Sequence, residues 1–275
     1  MGRFGWLEFS GSQEKSAPQM PAPAAPSADI LSLELLNKAD DFFFAGLYGK
    51  ALREYSRAID EDKTNRLAWV RQTVCQIALK EYEQAVVWAQ KFVEIFPEDP
   101  QALSSLALAK SRIPFYLNEL PNLLEQIARK SGGSYSPQMQ FEKAVCLFAL
   151  QQNDDGQKII SAMLESLDSR LEQVRWMILC SALYLDMRAP DCACVLLETL
   201  DNDRSLTPYG LSLWIKAEWL RNDPLKAKQL LKRLRKCDHA APETYEIQKY
   251  FDNNPLQQGH AMLNFFGQIL DKFHL

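Results

Sequence analysis

Two short pairs of residues in the C-terminal part of the sequence carry side chains that could bind a metal ion. Cys192 and Cys194 are separated by one residue, and so are Cys237 and His239. Thiolates and imidazoles are common zinc ligands, but structural zinc sites usually place two or more residues between paired ligands. The spacing therefore favours incidental core or loop residues, and we predict that the chain binds no metal ion.

Catalytic motifs are absent from the sequence. It contains no glycine-rich nucleotide loop, no Gly-x-Ser-x-Gly elbow and no His-Glu-x-x-His helix. Its three histidines all lie near the C-terminal end, and most of its cysteines fall within apolar helical patterns, which is typical of reduced core cysteines. These residues are His239, His260 and His274, and Cys75, Cys146, Cys180, Cys192, Cys194 and Cys237. We therefore predict a non-enzymatic protein without a cofactor.

Charged residues are unevenly distributed along the chain. Lys plus Arg number 31 and Asp plus Glu number 35, a formal net charge of −4, which argues against general nucleic-acid binding. Residues 154–203 hold ten acidic and four basic residues, whereas residues 226–236 hold six basic residues and no acidic one. We interpret the basic stretch as the solvated outer face of a helix. The alternative is a patch that binds an acidic partner, a membrane surface or nucleic acid.

A pattern of aromatic and small residues occurs twice between residues 46 and 97. In each copy an aromatic residue precedes an alanine by three positions, first as Tyr48 and Ala51 and then, 34 residues later, as Tyr82 and Ala85. Small residues facing large ones let antiparallel helices pack closely. A period of about 34 residues is that of a helix–turn–helix repeat, and such hairpins must stack to bury their apolar faces.

This pattern resembles the tetratricopeptide repeat, and the resemblance covers about residues 32–99. Trp69, Phe92 and Pro97 fit the same motif, whereas the later part of the chain follows it more loosely. The resemblance implies a stack of helical hairpins whose first helices line a concave groove for a peptide or protein partner. In this register the candidate partner-binding residues are Leu36, Asp40, Phe43, Arg71, Cys75, Gln101 and Ser105.

Some tetratricopeptide domains bind the C-terminal carboxylate of heat-shock chaperones through Lys and Asn side chains in this groove. The matching positions in the first helix of this chain hold Leu36 and Asp40. Because a carboxylate at Asp40 would repel the ligand, we predict that the chain does not bind such chaperone tails.

Helical periodicity extends from Ile30 to Phe273 without alternating strand patterns, which predicts an all-α chain. We predict an α-solenoid over residues 29–241, in which the repeat is clear in 32–99 and degenerate afterwards. Its helices are expected at about 30–45, 48–61, 66–79, 82–95, 100–112, 121–130, 138–151, 154–167, 171–187, 190–200, 207–221 and 224–236.

The two ends of the chain are predicted to differ from the repeats. Residues 242–275 should form a helical cap over the last repeat, with a dimerisation surface as the alternative. Residues 1–28 combine an apolar tip with a linker rich in Pro and Ala that should not pack on its own. The aromatic tip residues Phe4, Trp6 and Phe9 are candidates for docking on a partner. Docking on this chain's own repeats and the absence of any role are the alternatives.

The resulting functional prediction is a protein-interaction scaffold or adaptor. A chaperone or assembly factor for a secreted or multi-subunit machine is one alternative, and a regulatory subunit of an enzyme is another. No apolar run approaches the ~18 residues of a membrane span, and no signal peptide opens the sequence, so we expect a cytoplasmic protein.

Overall fold

The computed structural model describes residues 28–237 of the 275-residue chain. The predictions for the N-terminal tip and linker, for His239 and for the C-terminal cap therefore fall outside the described residues. The described part contains twelve α-helices: α1 (Ala28–Phe44), α2 (Tyr48–Glu61), α3 (Arg66–Ala78), α4 (Tyr82–Ile95), α5 (Pro100–Lys110), α6 (Leu120–Ser131), α7 (Pro137–Ala149), α8 (Asn153–Glu165), α9 (Arg170–Asp186), α10 (Pro190–Asn202), α11 (Pro208–Leu220) and α12 (Pro224–Cys237).

Consecutive helices pair into six hairpins, and each hairpin packs on the next. A 3-10 helix, Pro114–Glu119, joins α5 to α6. Residues 28–237 contain no β-strand, so the prediction of an all-α stack of helical hairpins is confirmed. None of these helices is both long enough and apolar enough to cross a bilayer.

Five of the first helices begin at residues that satisfy a backbone N–H group of the first turn. Side-chain oxygens of Asn65, Asp99, Ser136, Ser169 and Thr207 accept hydrogen bonds from backbone N–H groups in the first turns of α3, α5, α7, α9 and α11. Proline occupies the first turn of several helices, where its missing N–H costs nothing. These local signals explain why the helix boundaries could be predicted from the sequence.

The repeated aromatic and alanine residues occupy equivalent places in the first two hairpins. Tyr48 and Tyr82 are the first residues of α2 and α4, the second helices of their hairpins. Ala51 and Ala85 are fully buried one turn later, where a larger side chain would separate the paired helices. The 34-residue pattern thus encodes the close packing of each hairpin.

Two first helices of hairpins, α5 and α11, are buried on almost every side. Eight of the eleven residues of α5 are buried, as are eleven of the thirteen in α11. The second helices bury a single stripe instead, for example Leu123 and Ile127 on α6 or Ile160 and Met163 on α8. The first helices therefore form the inner layer and the second helices the outer layer.

The stack curves until its first hairpin contacts its fifth and sixth. The hydroxyl oxygens of Tyr48 and Tyr209 lie 2.8 Å apart in a buried hydrogen bond. The guanidinium of Arg175 in α9 lies 4.5 Å from the ring centre of Phe44. We call this contact the closure; because of it, the inner helices curve around a partly enclosed space.

The basic helix α12 packs beside the acidic helix α10. Lys226 Nζ lies 2.7 Å from Glu198 Oε1, and Arg233 Nη1 donates to Asp201 Oδ2 at 3.0 Å. The leucines of α12 face the core, while Lys228 and Lys232 are exposed as predicted for an outer face. The opposite charges of the two regions are thus partly neutralised within the chain.

A fully buried carboxylate in α11, that of Glu218, links the two helices of the last hairpin. Glu218 accepts a hydrogen bond from Trp214 Nε1 at 2.9 Å and pairs with Lys226 at 2.7 Å and with Arg221 at 3.2 Å. We expect Lys226→Met to lower the free energy of unfolding by about 1–2 kcal/mol, because the buried carboxylate loses one of its two cations. Urea denaturation measures this change.

The exposed Lys228 on the same helix provides the control. Lys228→Met should change the unfolding free energy by less than about 0.5 kcal/mol. Equal effects of the two substitutions would show that the ion pair does not stabilise the hairpin.

Candidate functional site

An apolar cavity of about 110 Å³ lies inside the ring of inner helices. Its walls come from α1, α3, α5, α7 and α9, together with the first residues of α2 and α4. We call it the concave cavity; its lining residues are Phe43, Tyr48, Val74, Ile77, Ala78, Lys80, Tyr82, Leu108, Arg112, Phe141, Val145, Leu179, Ala182, Leu183 and Asp186. Because five helices contribute to it, the cavity depends on the curvature of the whole stack.

One ion pair interrupts the apolar lining of the concave cavity. Arg112 Nη1 lies 2.8 Å from Asp186 Oδ2, which joins the end of α5 to the end of α9. The Nε atom of Arg112 is buried and has no hydrogen-bond partner within residues 28–237. A buried donor without an acceptor costs free energy. The Arg112 side chain is 23% exposed, so a partner's carboxylate can reach only the exposed part of the guanidinium, beside Asp186.

Most of the candidate groove residues lie between the helices rather than on an open surface. Leu36, Phe43, Cys75 and Ser105 are buried. Of the seven candidates only Phe43 lines the concave cavity. Partner binding by these seven residues stays a prediction, and in this conformation the four buried ones present almost no surface to a partner.

Asp40 and Arg71 contact each other and the aromatic core of the first hairpin. Tyr55 Oη donates to Asp40 Oδ1 at 2.5 Å, and Arg71 Nε lies 3.9 Å from the same oxygen. The guanidinium of Arg71 also lies 5.1 Å from the ring centre of Phe43. Burial raises the pKa of Tyr55, so its hydroxyl stays a donor. The two charged candidates therefore stabilise the joint between α1, α2 and α3.

Gln101 and Ser105 bind a buried carboxyl group that the sequence analysis missed. Glu142 in α7 accepts hydrogen bonds from Gln101 Nε2 at 2.8 Å, Gln138 Nε2 at 2.9 Å and Ser105 Oγ at 3.2 Å. Its side chain is inaccessible to solvent, and burial raises its pKa to about 7. The position of Glu142 three residues before the apolar Val145, on the inner face of α7, was the available signal.

The raised pKa of Glu142 makes stability depend on pH. In the unfolded chain this group ionises near pH 4.5, but in the folded chain only near pH 7, so stability falls as pH rises between these values. We expect the free energy of unfolding to drop by up to about 3 kcal/mol over this window. Glu142→Gln removes the ionisation and should flatten the curve, measured by urea denaturation at several pH values.

Glu94, an exposed residue of α4, supplies the control. Glu94→Gln should keep the fall in stability between pH 4.5 and pH 7. A Glu142→Gln profile that falls as steeply as the wild type would contradict the role assigned to the buried carboxyl.

The candidate metal ligands do not assemble within the described residues. Residues 28–237 contain no group of three or more His, Cys, Asp or Glu side chains placed to hold a metal ion. Burial raises the pKa of Cys146 to about 12 and that of Cys194 to about 11, so both remain protonated thiols at neutral pH. These cysteines are core residues.

Residues 28–237 form a stack of six helical hairpins with an inner and an outer layer of helices. Several solved structures of tetratricopeptide-repeat proteins are similar to this stack. A tetratricopeptide-repeat protein of Thermus thermophilus is similar, with 17% identity over 70% of this chain and 99% of that chain and a TM-score of 0.48. So is one of Parabacteroides merdae, with 17% identity, 82% and 85% coverage and a TM-score of 0.45.

A third similar structure is PilW, described as a widely conserved type IV pilus biogenesis factor. It shares 13% identity over 79% of this chain and 98% of that chain, with a TM-score of 0.46. No protein-family model matches the sequence, and no curated protein matches it either.

Proposed function

We propose that the chain is a non-enzymatic protein-interaction scaffold whose concave cavity receives one apolar side chain of a peptide or protein partner. The observation that carries this proposal is an apolar space walled by five helices. Its volume of about 110 Å³ is somewhat smaller than the ~150 Å³ of an apolar cavity that binds benzene. The space therefore suits a phenyl ring or a branched aliphatic side chain.

The polar group at the cavity refines the expected partner. Arg112 lines the cavity, its side chain is 23% exposed, and it pairs with Asp186. A partner with an acidic residue next to its apolar anchor would bind the exposed part of this guanidinium, and the charge-assisted hydrogen bond would orient the peptide. We therefore expect a short motif that combines one apolar anchor with an adjacent Asp or Glu.

The walls of the cavity favour binding without much rearrangement. Val145, Leu179 and Leu183 are buried by packing within the stack. A preformed site saves the cost of ordering its side chains on association. Binding should then depend on the fit of the anchor rather than on the length of the peptide.

Selection from a displayed peptide library tests this proposal on the full-length chain. Ala182 lines the cavity, and Ala182→Phe should fill it, whereas the exposed Ala162 of α8 gives a matched control. Selected peptides should share an apolar anchor beside an acid, bind at least tenfold more weakly to Ala182→Phe, and bind Ala162→Phe within twofold. Equal binding to both variants would overturn the proposal.

The chaperone or assembly-factor role, the enzyme-subunit role and the cytoplasmic location remain predictions from the sequence. The proposed scaffold does not require any of them.

A further inference from the structure

We propose that the concave cavity is occupied by the chain's own N-terminal tip, residues 4–9, until a partner displaces it. This inference rests on the proposed function, because it assigns an occupant to the same cavity. Three observations support it: the size of the cavity, the charge at its edge and the length of chain between the tip and α1.

The side chains of the tip match the size of the cavity. The tip reads Phe-Gly-Trp-Leu-Glu-Phe, with phenyl rings at Phe4 and Phe9. A space of about 110 Å³ is comparable to an apolar cavity that binds benzene, so it suits a phenyl ring better than the larger indole of Trp6. In the complex that we propose, one phenylalanine enters the cavity and Trp6 packs at its opening.

Charge complementarity favours the same occupant. Glu8 is the one acidic residue of the tip and directly precedes Phe9. Arg112 at the cavity has a buried Nε without a partner among the described residues. The Arg112 side chain is 23% exposed and pairs with Asp186 through Nη1. In the complex that we propose, Glu8 contacts the exposed part of this guanidinium, beside Asp186, when Phe9 enters the cavity.

The intervening chain is long enough to reach. Residues 10–27, rich in Pro and Ala, separate the tip from Ala28, the first residue of α1. An extended chain at ~3.1 Å per residue spans about 55 Å over this length. Helix α1 has 17 residues, about 25 Å at 1.5 Å per residue, and Phe43 near its far end lines the cavity. The tether thus covers more than twice the distance along α1.

Tethering makes weak contacts sufficient for occupancy. A tethered segment acts at an effective concentration that reaches the millimolar range for short linkers. A partner motif must compete with this internal ligand, so partner binding is weakened until the tip is released. The tip would then determine the partner concentration that is needed for binding.

The test uses the full-length chain and a fluorescent peptide of residues 1–12. In the released variant Phe4, Trp6 and Phe9 are all replaced by Ala, which empties the cavity without truncating the chain. The peptide should bind the released variant with a Kd below about 100 µM, and wild-type chain at least tenfold more weakly. Adding Glu8→Lys to the peptide should weaken its binding to the released variant several-fold.

Three further substitutions in the released variant locate the site. Ala182→Phe should abolish peptide binding, and Ala78→Leu, at another position on the cavity wall, repeats the test with a smaller change. Leu33→Asp alters an exposed apolar residue of α1 and should leave binding unchanged. Circular dichroism verifies that each variant is folded.

The results separate this inference from the proposed function. Equal peptide affinity for the wild type and the released variant would overturn the inference, as would loss of binding with Leu33→Asp alone. If library-selected peptides still bind the cavity in that case, the proposed function stands and the occupant comes from a partner. If neither peptide class responds to Ala182→Phe, both proposals fail.

Discussion

Replacing Gly46 by Ala should lower the free energy of unfolding by about 2–4 kcal/mol. Gly46 has φ +76°, a backbone conformation that costs other residues roughly 1–2 kcal/mol. A Cβ atom there would lie 2.5 Å from a ring carbon of Tyr209, so the closure must also shift, at a cost typical of overpacking. Urea denaturation of both proteins measures the sum.

Two further variants separate the backbone cost from the clash. Gly132 has φ +60° and open space around it, so Gly132→Ala should cost only the backbone part, about 1–2 kcal/mol. In a chain that carries Tyr209→Ala, Gly46→Ala should likewise cost only that part, because the ring is gone. If Gly46→Ala costs no more than Gly132→Ala in the wild-type background, the closure contributes nothing to stability.

Replacing Phe43 by Ala should cost about 3–5 kcal/mol, the typical loss for a large buried aromatic residue. Phe43 is fully buried, and its ring centre lies 5.2 Å from that of Phe44 and 5.4 Å from that of Tyr48. Its removal also takes one ring away from the Arg71 guanidinium. We therefore expect Phe43→Ala to lower the free energy of unfolding by more than any single surface substitution.

Phe115 in the 3-10 helix provides the matched control, since it is 81% exposed. Phe115→Ala should change the free energy of unfolding by less than about 0.5 kcal/mol. Because Phe43 also lines the concave cavity, Phe43→Ala enlarges it, and peptides selected against this variant should carry a larger anchor. Comparable losses for the two substitutions would contradict the central packing role of Phe43.

The fold could be predicted because its signals are local. Capping residues such as Asp99 and Ser136 mark helix starts, and the Tyr48–Ala51 and Tyr82–Ala85 pairs report close packing within one hairpin. Each signal lies within a few residues of the structure that it specifies. The helix boundaries therefore follow from the sequence within a few residues.

The candidate site could not be predicted because it depends on curvature. The prediction of the groove residues assumes an open concave side, but Phe43, Cys75 and Ser105 are buried within the stack. The cavity is formed instead by residues such as Leu108 and Leu183, more than 70 positions apart. No local pattern reports which inner side chains meet after five hairpins have accumulated their rotation.

The contact between α10 and α12 could have been predicted only in part. Both charged stretches are visible in the sequence, but the interpretation of the basic stretch as a solvated outer face includes no partner from the acidic stretch. Second helices of neighbouring hairpins lie side by side in such a stack. The sequence therefore contains enough information to predict ion pairs between the acidic residues of α10 and the basic residues of α12.

The closure has a consequence for how the chain unfolds. A stack in which every hairpin contacts only its neighbours frays from its ends, because each terminal hairpin has one neighbour instead of two. The hydrogen bond between Tyr48 and Tyr209 joins residues 161 positions apart and gives the first hairpin a second neighbour. Amide hydrogens of α1 and α2 should therefore exchange with solvent as slowly as those of α5, and fraying should begin only after the closure opens.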